Sequence, residues 1–225
     1  MLFAYPPIVL IYLIPIVLIS LTFHEFSHAI VSYRLGDPTA KNQGRLTLNP
    51  FRHIDILGAL MFLIARFGWA KPVPINPLYY KDRKKGTMLV SLAGPLSNLL
   101  LALVFALPMF FLEERYGIRS GSFFSSFNSI SLLYNFSFLF YFINIGLAVF
   151  NILPVPPLDG SKILSGILPS RQYFKLLEYQ NYFTVGFLII VFAFPRLLGV
   201  ILSPFMWAVE TAISFIAKSI VSLFI

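Results

Sequence analysis

The stretch Phe23-His24-Glu25-Phe26-Ser27-His28 puts two imidazoles and a carboxylate into an otherwise apolar run. On a helix, residues four apart share a face, so His24 and His28 can hold one Zn2+ between them. Glu25 then stands beside the metal, placed to take a proton from a water there. The bland alternative is two core histidines and an unrelated acid. Apolar surroundings disfavour it, because an ionisable group inside a membrane helix costs about 2.5–3.5 kcal/mol unless something binds it. A metal site accounts for all three residues.

The surroundings are those of a membrane protein. Of 225 residues, 58% are hydrophobic and only 12% are charged, against roughly 25% charged in soluble domains. The absence of cysteine excludes a disulfide scaffold and a thiolate zinc site, leaving His and carboxylate as ligands. The net charge of +8 suits cytoplasmic loops of a membrane chain, and no basic stripe on a soluble face points to nucleic acid. The N-terminus has neither a positive n-region nor a small-residue cleavage site, so it reads as a retained span.

The elements that must position the site follow from hydropathy and breakers. A first span covers 8–33, closed by Arg34 and Gly36-Asp37-Pro38. With Arg34 six residues beyond His28, the site lies roughly 9 Å below that interface. Residues 34–56 are polar, and Gly44–Leu48 alternates like a short strand. The apolar run 56–65 is too short to cross a bilayer and reads as re-entrant or surface-lying. Gly68–Pro77 is not helical. Pro72 and Pro74 remove donors from one edge of an extended segment, so the edge through Val73 and Ile75 is expected to keep free N–H and C=O groups for one partner. A proline-stiffened loop is the alternative. A charge cluster at 81–85 precedes a span over 87–112, in which Ala93-Gly94-Pro95 permits close helix approach and Asn98 brings in an amide. A polar loop, 113–131, leads to a third span, 132–153, with Asn144 and Asn151, and then a break at 154–160. Two apolar stretches, 179–195 and 197–223, complete an all-α polytopic membrane protein of about five spans with a re-entrant, membrane-embedded β segment. It is expected to form one integral-membrane domain over 1–225, with a core at 8–165 and C-terminal helices at 172–225.

If 56–80 is re-entrant and the N-terminus starts outside, thirteen Lys and Arg fall in 34–86 and 154–178, against Arg115, Arg119 and Arg196 on the other side, with Lys218 near the last end. This topology brings the C-terminal ends of the first and third spans to one face, so Asp159 lies on the side of His24 and His28. The other acids compete poorly: Glu113 and Glu114 fall opposite, Asp82 sits among basic residues, and Asp37 and Asp55 flank solvated turns. Two His, one carboxylate and a water make the open geometry of a catalytic zinc.

Three blocks in this order resemble the site-2 protease family of intramembrane zinc metalloproteases: His24-Glu25-Phe26-Ser27-His28, Ser91–Asn98 and Asn151–Gly160, joined by Asn49–His53. The resemblance covers about residues 20–165 and is to the short members without PDZ or CBS domains. It implies one Zn2+ per chain held by His24, His28 and Asp159, Glu25 as acid/base, and Asn151 near the metal as an oxyanion partner. Gly68–Ile75 looks like the family's membrane-embedded strand, which makes Val73 and Ile75 candidate substrate contacts. His53 and Asn98 are candidates beside them, each with a structural alternative: His53 holding the 49–55 turn, Asn98 (like Asn144) bonding helices. The implied partners are membrane-spanning protein substrates and the lipid bilayer, in a prokaryotic plasma membrane, with the site toward the cytoplasm. A metal transporter and an inactive membrane-protein-binding homologue are the rival readings.

Overall fold

The computed structural model describes residues 8–65, 68–118 and 128–225. The described chain is helical throughout its long elements: α1 (Ile8–Arg34), α2 (Thr39–Asn42), α3 (Ile56–Ala65), α4 (Arg83–Tyr116), α5 (Ser129–Ile152), α6 (Asp159–Ile167), α7 (Ser170–Ala193) and α8 (Pro195–Val221). Helices satisfy every backbone group internally, which is the condition for crossing hydrocarbon. Among the described residues four of them, α1, α4, α5 and α8, are long and apolar enough to span a membrane.

The fifth span expected at 179–195 falls in the second half of α7, a stretch that the four do not include. Two other expectations change here. The β segment is not a strand among the described residues. An isolated antiparallel bridge joins Ile54 to Ala70, and the 71–76 run is extended without a ladder. Gly44–Leu48, expected as a strand, forms turns. Within the loop at 113–131, residues 119–127 lie outside the described residues, as do residues 1–7 of the expected retained N-terminal segment.

Helix ends are set by local chemistry. Gly36 leaves α1 at φ 103°, a left-handed conformation that glycine adopts without strain. Asp82 caps α4 by accepting from Lys85 N–H at 3.0 Å, and Asn128 caps α5 by accepting from Ser131 N–H at 2.8 Å. The core lies where α4, α5 and α8 meet. Ala102 and Ala106 let the helices approach, and Phe110, Tyr141, Ile145 and Ile213 fill the space between them. Leu13 and Ile16 of α1 pack on Leu139 and Phe140 of α5. Along α1, contacts at Ser20 and His28 meet α4 at Asn98 and Val90, so the two helices run antiparallel. Phe140 beside Ile16 and Asn144 beside Ser20 make α5 parallel to α1. The C-terminal ends of α1 and α5 therefore share a face.

A buried carboxylate ties the loops to this bundle. Asp37, fully buried, accepts from Ser32 Oγ at 2.8 Å, Thr39 N–H at 2.9 Å and Asn76 N–H at 2.7 Å, and also bonds the Thr39 hydroxyl. Ser32 in turn meets Tyr80 Oη at 2.7 Å. Burial works against charge on Asp37, but these four donors outweigh it and hold its carboxyl below the usual range. The cluster anchors the extended segment against the end of α1.

Candidate metal centre

His24 and His28, one turn apart on α1, meet Asp159 at the first position of α6. The His24 and His28 Nε2 atoms are 3.0 Å apart, and each is 3.1 Å from Asp159 Oδ2. All three residues are buried. Gly94 of α4 makes the space. A Cβ there would stand 2.5 Å from His24 Cε1, 2.5 Å from His28 Nε2 and 2.6 Å from His24 Nε2.

The distribution of protons decides what this triangle binds. His28 Nδ1 donates to the Val90 carbonyl at 2.7 Å, and His24 Nδ1 donates to Asn98 Oδ1 at 2.7 Å. Each neutral imidazole thus keeps its proton on Nδ1 and presents a bare lone pair at Nε2. Asp159 Oδ2 adds an anionic acceptor. Three converging acceptors repel one another; a proton relieves one contact, whereas a metal ion satisfies all three. Burial alone opposes charge on Asp159, so its carboxylate calls for a cationic partner. Its other oxygen, Oδ1, faces Lys162 Nζ at 3.6 Å. The residues present fit zinc: two imidazoles, a carboxylate and no fourth protein ligand among the described residues.

Glu25 reaches the extended segment, where its Oε2 accepts from Val73 N–H at 2.8 Å. That segment is held along the same edge elsewhere. Lys71 N–H donates to the His53 carbonyl at 2.9 Å, and Arg45 Nη2 donates to the Lys71 carbonyl at 2.6 Å. The edge through Val73 is therefore engaged by the protein, contrary to the expectation of a free N–H there. The Val73 side chain is likewise buried, against Ala29 and Ala40, with Ile75 packed beside it.

Of the remaining candidates, Asn98 is fully buried and spends its amide on His24, Ser20 and Asn144. This leaves it no face for a substrate. Asn151 donates from Nδ2 to its own helix at Leu147 O, 2.9 Å, and no described hydrogen bond joins it to the triangle. His53 is buried, bonded through Nε2 to Thr47 O at 2.8 Å, with Nδ1 unpartnered. It lines a cavity of about 260 Å3 between α1 and the Trp69–Ala70 backbone, with Leu18, Leu21 and Ile54. Sequence reasoning missed Gly94 as the imidazole cradle, the Val90 carbonyl and Arg45. Only Gly94 carried a signal, since glycine in a helix interior marks close approach. A backbone carbonyl has none.

A family model described as Peptidase family M50 matches residues 12–194. The chain is 39% identical over 195 residues to "Putative zinc metalloprotease YwhC" of Bacillus subtilis, covering 87% of this chain and 85% of that one. The same designation is carried by Rip2 of Mycolicibacterium smegmatis, 33% identical over 77% of this chain and 62% of its own length. It is carried also by MJ0611 of Methanocaldococcus jannaschii, 32% identical over 72% and 75%. No solved structure matches.

Proposed function

The chain belongs to peptidase family M50, and from that premise we propose that it hydrolyses peptide bonds within or beside transmembrane segments of membrane-anchored proteins. The reading rests on one observation above the others: three metal-ligating atoms, His24 Nε2, His28 Nε2 and Asp159 Oδ2, converge within 3.1 Å of one another, beside Glu25 on a helix apolar enough to cross a membrane. His24, His28 and Asp159 hold one Zn2+ in this proposal. Zinc, when bound, polarises a scissile carbonyl and draws the pKa of water toward about 7.

The protein's own groups do the rest. Val73 N–H pins one oxygen of Glu25, which leaves the other to accept a proton and return it to the leaving amine. Asn151 swings its amide from Leu147 O to the oxygen that gains charge. A helical substrate hides its amides and must unwind to be cut, so its freed N–H groups need acceptors. With the Val73 edge turned inward, the carbonyls of Pro72 and Pro74 on the opposite edge are the acceptors the segment has left. The cavity beside His53 and Trp69 receives a substrate side chain. The Lys and Arg distribution supports a site toward the cytoplasmic side, in a prokaryotic plasma membrane in this proposal.

The test is cleavage of a tagged transmembrane substrate in proteoliposomes by wild type and Glu25→Gln, with zinc content measured in both. Cleavage by wild type alone, with zinc in both, is expected. Cleavage by the variant would remove Glu25 from the role, and zinc flux across the vesicle without cleavage would support a transporter instead.

A further inference from the structure

Behind His24 lies a run of buried amides that the chemistry above does not use. Asn98 Nδ2 donates to Asn144 Oδ1 at 2.8 Å. Asn144 Nδ2 donates to the Phe140 carbonyl at 2.9 Å and to Ser20 Oγ at 2.8 Å. Asn98, Asn144, Ser20 and Phe140 are all fully buried, so no solvent competes for these bonds.

The polarity of the run has one fixed end. The Phe140 carbonyl can only accept, so Asn144 must turn its NH2 toward it and its oxygen toward Asn98. Asn98 then must turn its NH2 toward Asn144, where the Ser20 carbonyl, also an acceptor, lies at 3.4 Å. That leaves Asn98 Oδ1 for His24, which can meet it only with a protonated Nδ1. A flipped amide at either position would set NH2 against NH2 or oxygen against oxygen in a site closed to solvent.

We infer that Asn144 is a positioning residue for the metal: acting through Asn98 and anchored on the Phe140 carbonyl, it fixes His24 as the Nδ1–H tautomer and leaves Nε2 as the zinc donor. The inference rests on the proposed zinc site. It explains why two amides sit at the junction of α1, α4 and α5, where apolar side chains would join the helices at lower cost.

The experiment is a double-substitution cycle read as zinc affinity by chelator competition, on purified full-length protein whose helicity is checked by circular dichroism. Asn98→Leu and Asn144→Leu are each expected to weaken zinc binding about 10- to 100-fold, the range for partners that orient a metal-bound histidine. In the Asn98→Leu background, Asn144→Leu is expected to add less than about twofold, because its effect passes through Asn98. Asn144→Asp still offers Asn98 an accepting oxygen in either protonation state, so it should keep zinc affinity near wild type. It also serves where Asn144→Leu fails to fold. An Asn144→Leu protein with wild-type affinity, an equal loss with and without Asn98, or Asn144→Asp as weak as Asn144→Leu would each overturn the inference. Wild type that binds no zinc would instead overturn the site on which it rests.

Discussion

Gly94→Ala isolates the metal site from the fold better than any substitution of a ligand. Alanine favours a helix interior over glycine by about 0.8–1 kcal/mol, so α4 itself is not weakened. The added methyl, however, lands 2.5 Å from His24 Cε1 and His28 Nε2 and 2.6 Å from His24 Nε2, where ordinary contact begins at 3.4 Å. The imidazoles must retreat by most of an ångström. Both are held from behind, His28 by Val90 O and His24 by Asn98, each at 2.7 Å, so retreat breaks those bonds or tilts the rings. Metal–ligand distances tolerate only about 0.2 Å. Loss of one proper ligand is expected, with zinc affinity down by at least about 100-fold on the scale seen when a ligand's orienting partner is removed. The assay is chelator competition beside circular dichroism and thermal unfolding. Gly146→Ala in α5, whose methyl meets nothing within 4 Å, is the control and should leave zinc binding unchanged. A folded Gly94→Ala protein with wild-type zinc affinity would refute the cradle and the placement of the imidazoles against α4.

Three further outcomes follow from contacts on the extended segment and its anchor. Val73→Pro removes the N–H that pins Glu25 in a run already extended by Pro72 and Pro74; kcat should fall by about tenfold or more, the worth of a hydrogen bond to a charged group, with zinc affinity and KM little changed. Wild-type kcat would show that Glu25 does not depend on Val73. Asp37→Asn should cost about 1.5–3 kcal/mol at neutral pH, because an amide presents NH2 where Oδ2 accepts from Ser32 and Asn76. The folded-state carboxyl of Asp37 lies below its unfolded value, so its contribution is present above about pH 4 and fades as pH falls below that. Unfolding followed across that window should show a steeper acid loss in wild type than in Asp37→Asn, and parallel curves would contradict the hub.

Much of the site was legible because its chemistry is periodic. The four-residue spacing of His24 and His28 fixes a shared helix face whatever packs on it, and hydropathy separates α1, α4 and α5 with little ambiguity. Asp159 was reachable from topology, since charge distribution places the ends of α1 and α5 together. The orientation of the 71–76 segment was not. Prolines tell which edge lacks donors, but which edge turns inward depends on Glu25 and the His53 carbonyl, both distant in sequence. Asn98 suffered the same limit: an amide in a span reads equally as cavity lining or helix bonding until its neighbours are known.

The central claim is that one zinc ion sits among His24, His28 and Asp159. Anomalous scattering at the zinc edge from crystals of the purified protein tests it most directly. The account predicts a single strong peak bounded by His24 Nε2, His28 Nε2 and Asp159 Oδ2, lost in Asp159→Ala. A peak elsewhere, or none from zinc-replete protein, would contradict it.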